Sequence, residues 1–198
     1  MRELEIRKAT DADLPGILRL YAQPGMDDGK VLTVEAAAQV LQRMSTYANY
    51  VVYVAVEAGT IVGTFALLIM DNLAHMGAPS AVVEDVCVDE QLRGQGIGKA
   101  MMTLAMQVAR EQGCYKLSLS SDLARGPAHA FYRSLGFEQH GLSFPRETSQ
   151  EHRLTLGVCK SAALPCSPVP GSPVAPGKRL LVVPAFPRSP ANAVSVMR

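Results

Sequence analysis

The chain has 198 residues, nearly half of them apolar, no tryptophan, and a formal net charge of +1. That length holds one domain of ordinary size, alone or with an appendage, and the apolar share can furnish a sizeable core. A charge so near balance argues against nucleic acid or an acidic membrane as partner.

The opening stretch, "MRELEIRKATDAD", is charged from its second residue, which argues against a secretory signal. The longest apolar run, Ile61–Met70, is too short to span a bilayer. Cys87, Cys114, Cys159 and Cys166 form no C-x-x-C pair, and the four histidines show no H-x-x-x-H spacing. We therefore expect a cytoplasmic, reducing location with no disulfide framework and no bound metal.

Composition breaks near residue 148. Residues 149–198 hold eight of the thirteen prolines, and six Lys or Arg against one acid. That leaves 13 basic and 17 acidic residues in 1–148, a net charge of −4 against +5 for the tail. Prolines so dense break helices and strand ladders. We expect a folded domain over 1–148 and a Pro-rich, irregular, disordered tail over 149–198.

Within the domain, "LEIRKA" (Leu4–Ala9) predicts a short strand. Thr10 with Asp13 three residues on resembles a capping box opening a helix through "LPGILRLYA", a helix that Gly16 weakens. "QPGMDDGK" (Gln23–Lys30) is a loop, and Thr33–Ser45 has helical periodicity. Tyr50–Glu57, the turn "AGT" and Ile61–Met70 predict a hairpin. Asn72–Ser80 is a loop, and Ala81–Val88 a strand. Ile97, Met101, Leu104 and Val108 then make an apolar stripe at helical spacing, closed by Gly113. Tyr115–Ser120 is another strand, and Pro127 opens a short helix that Gly136 stops. "FEQHG" and "LSFPR" suggest one or two final strands. The order predicts an α/β (α+β) domain with one mixed sheet flanked by helices.

Gly94, Gly96 and Gly98 fall within five residues, between a β-type run and a helical one. A helix N-terminus presents unpaired N–H groups and a partial positive charge. Glycines let a phosphate approach that backbone, and Arg93 beside them adds charge. The spacing is G-x-G-x-G, which matches neither the dinucleotide fingerprint nor the Walker pattern.

The stretch "EDVCVDEQLRGQGIGKAMM" resembles the acetyl-CoA signature Q/R-x-x-G-x-G/A of the GNAT superfamily of N-acetyltransferases, with Arg93, Gly96 and Gly98 at its defined positions. "AHAFYRSLGFE" (Ala128–Glu138) resembles the family's second signature. The resemblance covers residues 3 to 147. It implies a twisted mixed sheet whose fourth and fifth strands splay apart, with acetyl-CoA as cosubstrate. Pantetheine would bond the backbone of Val86, Cys87 and Val88 as an extra strand. Arg93, Gly94, Gln95, Gly96, Ile97, Gly98 and Lys99 would wrap its pyrophosphate.

Acetyl transfer needs a neutral amine, a polarised thioester and a proton for the departing thiolate. By the resemblance, Tyr132 stands where many members place a general acid near the sulfur. Glu84 and Asp85 are adjacent acids in an apolar strand, and alternation points them to opposite faces. The resemblance implies that acids here bind or deprotonate the acceptor; Glu84 is read as the base and Asp85 as the amine ligand, an order that a β-bulge would swap. Ser120 bonds acceptor or cofactor, or simply ends its strand. Arg125 stands where many relatives carry an asparagine that contacts coenzyme A. The run Arg125–Tyr132 is similar to the aminoalkylphosphonate branch, and the "ED" pair to glucosamine-phosphate N-acetyltransferases. The implied partner is a small-molecule amine, with room for a homodimer. A non-catalytic acyl-CoA-binding module and an acetyltransferase of protein lysines or N-termini are the alternatives.

Overall fold

The computed structural model describes residues 3–141 and 143. Five strands and four helices run in the order β1 (Leu4–Lys8), α1 (Leu14–Tyr21), α2 (Val34–Met44), β2 (Tyr50–Glu57), β3 (Thr60–Met70), β4 (Ser80–Val88), α3 (Ile97–Glu111), β5 (Lys116–Leu119) and α4 (Gly126–Ser134). The strands form one sheet in sequence order. The β1–β2, β2–β3 and β3–β4 pairs are antiparallel, and β4–β5 is parallel. The expected mixed sheet with flanking helices is thus observed. The final strand is not: Phe137–Gly141 forms no ladder, and residues 142 and 144–146 of the expected pair lie outside the described residues, as does the tail. A strand needs a partner's N–H and C=O groups, and among the described residues nothing pairs with this segment.

Each face of the sheet has its own core. On one face Tyr53, Phe65, Leu67 and Val83 pack under α3. Tyr53 and Phe65 stack there with ring centroids 5.0 Å apart. The helix buries Ile97, Met101, Met102, Ala105 and Ala109. The buried stripe is rotated from the predicted one; Leu104 and Val108 flank it, half-buried. Ala105 and Ala109 continue the i, i+4 row from Ile97 and Met101 and let the helix come close to the strands.

On the other face Ile17 and Leu20 of α1 cover Val54, Ile61 and Cys87. A Cβ at Gly16 would stand 2.6 Å from Ile61 Cγ1, so this glycine lets α1 lie directly on β3. Before it comes a 3-10 turn, Asp11–Asp13. The Asp13 carboxylate accepts from the Thr10 N–H and hydroxyl, at 2.8 and 2.9 Å. It also takes two bonds from Arg7, at 2.7 and 2.8 Å, which hold the acid far below its ordinary range. Thr33 caps α2 through Ala36 N–H.

Two departures from regular pairing shape the functional region. The β4–β5 ladder runs only from Ser80 opposite Lys116 to Val83 opposite Leu119. Beyond that point β4 continues to Val88 while β5 has ended, so Val86–Val88 have no ladder partner on that side, at the place where the resemblance implied a splay. The second departure is a β-bulge. Ala66 faces Glu84 and Thr64 faces Cys87, so Phe65 alone stands opposite Asp85 and Val86. Asp85 takes φ 53.

Candidate active site

The bulge corrects the expected alternation in β4. Strict alternation would send Val83, Asp85 and Cys87 to one face. Instead Val83 packs under α3, Cys87 packs under α1, and Val86 and Val88 turn toward α3. An acid at 85 facing α3 would have been buried among Phe65 and Met101, an expensive place for an unpaired charge. The bulge moves it out, and both Glu84 and Asp85 reach solvent.

They do so on the side of α1. Burial raises the Tyr50 phenol above its ordinary value, and the fields of Asp85 and Glu84 add to it. Tyr21 is raised further, first by burial and then by Asp85. The Glu84 carboxyl is itself pushed up by partial burial and by Asp85. Asp85 is pushed up by burial and by Asp27 of the loop after α1. Among the described residues no cation forms an ion pair with either acid. The expectation that the pair would split between faces is therefore replaced by two acids on one side.

The gap left by β5 opens a cleft of about 740 Å³. Val86, Cys87 and Val88 form one wall, the start of α3 a second, and Arg125 with Phe131 and Tyr132 of the α4 that follows it a third. Segment Gln23–Met26 lines it as well. No side chain caps α3, whose N-cap is Gly96 at φ 87. Its first N–H groups lack acceptors within the helix. Gly94 also has a positive φ, and a Cβ at either glycine would meet nothing within 4 Å. Gly98 differs, because a Cβ there would stand 3.3 Å from Phe131 Cζ. Arg93 and Lys99 give this end of the cleft positive charge, and Arg125 adds to it near Tyr132. Gln95 does not line it.

Tyr132 is half-buried, tilted against Phe131 at 5.2 Å and edge-on to Phe137 at 6.0 Å. Burial raises its phenol, and the charge of Arg125 partly offsets the rise. Its hydroxyl is therefore protonated and able to donate at neutral pH. Cys87 is buried, donates to Leu20 O at 3.3 Å, and has its thiol pushed up mainly by burial, which suits a packing residue. Ser120 is exposed beyond β5 and does not line the cleft. Glu84 and Asp85 lie next to the lining without belonging to it.

Residues 18–137 match the family described as Acetyltransferase (GNAT) family. The chain belongs to this family and is an acetyltransferase. GNAT proteins draw their acetyl group from acetyl-CoA. The chain is 32% identical over 145 residues to a glucosamine 6-phosphate N-acetyltransferase of Trypanosoma brucei brucei, covering 70% of this chain and 91% of that one. It is 36% identical over 92 residues to N-acetyltransferase 8 of Rattus norvegicus, of which it covers only 41%. Among solved structures, a putative acetyltransferase from Agrobacterium tumefaciens superposes with a TM-score of 0.68 at 35% identity, over 73% of this chain and 99% of that one.

One contributor, Gln23, escaped the sequence reading: it joins the cleft because its carboxamide bonds Cys87 Sγ at 3.2 Å and Glu90 N–H at 2.6 Å, and it carries no local motif. Arg125, singled out in the sequence for its place in the second signature, reaches from just ahead of α4 to the carbonyl of Gly25. Among the described residues no helix is long and apolar enough to cross a membrane, and no cluster of His, Cys, Asp or Glu could hold a metal ion.

Proposed function

We propose that the protein transfers the acetyl group of acetyl-CoA to the primary amine of a small molecule, by direct attack in a ternary complex. One observation carries this reading: the uncapped start of α3, the unpaired edge of β4 and the Tyr132 phenol all open on one cleft. Acetyl-CoA supplies the activated thioester. The α3 N–H groups, with Arg93 and Lys99, hold its pyrophosphate. The backbone of Val86–Val88 holds the pantetheine arm. Tyr132 gives a proton to the departing thiolate.

The acids on the α1 side receive the amine. Asp85 binds its charged form, and Glu84, whose raised basicity suits proton removal, takes the proton before attack. Cations at the phosphate end of the cleft and carboxylates beside its lining then give donor and acceptor opposite electrostatic surroundings. The Trypanosoma relative is named for an amino sugar phosphate, which supports a small acceptor. The test is thiol release from acetyl-CoA over a panel holding glucosamine 6-phosphate, simple amines and a lysine peptide. We expect turnover with a small amine. Turnover with the peptide alone would move the acceptor class to proteins, and release that ignores every amine would remove the transferase reading.

A further inference from the structure

Gln23, Pro24, Gly25 and Met26 follow α1 and line the cleft together with β4 and α4. The segment is wound on itself: Met26 N–H bonds Gln23 O at 3.1 Å, Asp27 N–H bonds Tyr21 O at 3.0 Å, and Gly25 N–H bonds Asp28 Oδ1 at 2.8 Å. A turn so internally bonded moves as one piece. It is tied at two places, to β4 with the turn that follows it and to the Arg125 side chain ahead of α4. At one end the Gln23 carboxamide donates to Cys87 Sγ at 3.2 Å and Val88 O at 3.4 Å, and accepts from Glu90 N–H at 2.6 Å. At the other, the Arg125 guanidinium donates to Gly25 O.

We propose that Gln23–Met26 is a strap across the acyl-donor cleft, and that Gln23 and Arg125 are positioning residues that latch its ends to β4 and α4. The proposal rests on acetyl-CoA occupying this cleft. Gln23 and Arg125 act on the same body without needing to touch each other. Releasing either end frees the strap, so releasing the second adds little. Arg125 thereby acts by holding the protein's own backbone at the mouth of α4.

The test is a double-mutant cycle on acetyl-CoA dissociation, read by surface plasmon resonance over the immobilised full chain. Gln23→Ala and Arg125→Met should each speed dissociation about tenfold, the weight of one charge-assisted or multiple hydrogen bond. The double variant should match either single within about threefold instead of reaching about a hundredfold. Arg125→Lys, which keeps a donor for Gly25 O, should restore most of the slow dissociation. The effect should fall mainly on KM for acetyl-CoA. Additive effects, or an Arg125 effect that persists fully in the Gln23→Ala background, would overturn the latch and make Arg125 a direct ligand of the cofactor. Unchanged dissociation in both singles would also overturn it. Failure of the wild-type chain to bind acetyl-CoA would instead remove the reading beneath it.

Discussion

Phe131 of α4 lies against the backbone of Gly98 in the first turn of α3, so that a Cβ at 98 would stand 3.3 Å from its ring. The contact joins the element that offers N–H groups to the element that carries Tyr132. It also separates two glycines that look alike in sequence. Gly96 has a positive φ and open space around it, whereas Gly98 packs against a ring.

Their alanine variants should therefore fail differently. Gly96→Ala forces a side chain into the left-handed region, at about 1 kcal/mol, and puts a methyl where a phosphate would sit. Its KM for acetyl-CoA should rise roughly tenfold with kcat nearly kept. Gly98→Ala displaces Phe131 and tilts Tyr132, so its kcat should fall roughly three- to tenfold. Steady-state kinetics on both variants checks this, and identical profiles would mean that the two glycines share one task.

Glu84 offers a test of stability against function. Its carboxyl is raised by partial burial and by Asp85, so the folded state holds this proton more tightly than the unfolded chain does. Stability from the group is full below the ordinary carboxylate range and is lost as pH rises through the shifted value. Glu84→Gln should therefore raise Tm at pH 7 and leave it unchanged near pH 3, while lowering the rate at neutral pH. Part of the rate should return at high pH, where the free amine needs no base. Thermal unfolding at both pH values, with a pH–rate profile, decides it. Asp85→Asn showing the rate profile in its place would exchange the two roles.

Gly16 sets two effects against each other. Alanine is the better helix former by about 1 kcal/mol. Its methyl would stand 2.6 Å from Ile61 Cγ1 and 2.8 Å from Ile61 Cβ, and overpacking of that kind costs about 1–3 kcal/mol. Packing should win, and Tm should drop by roughly 2–4 °C. A Tm above wild type would show that α1 can lift off β3 without loss.

What the sequence made legible was local. The strand, the glycines and the helix that follow one another from Ala81 to Glu111 state their own geometry, because each constrains its neighbour along the chain. The Tyr132 helix was readable for the same reason. What stayed hidden depends on partners far away in sequence. The bulge at Asp85 exists only in register with Phe65, so alternation within β4 alone sent the two acids to opposite faces. Ala105 and Ala109 are core residues because the sheet is close, which their size does not announce. Gly16 looked like a weak point in a helix until Ile61 was found beneath it. Gln23 meets Cys87 across 64 positions, and Arg125 meets Gly25 across 100, and nothing local to either residue announces its partner.

The central claim is transfer within one complex, with Tyr132 as the acid. It is tested most directly by initial rates of thiol release, varying acetyl-CoA at several fixed amine concentrations, for wild type and Tyr132→Phe. The variant keeps the ring packed against Phe131 and Phe137 and removes only the donor. We expect intersecting double-reciprocal lines for both proteins, a kcat lower by roughly ten- to a thousandfold in the variant, and little change in acetyl-CoA affinity. Parallel lines would put an acyl-enzyme in place of direct attack, and wild-type kcat in Tyr132→Phe would reduce the tyrosine to a packing residue.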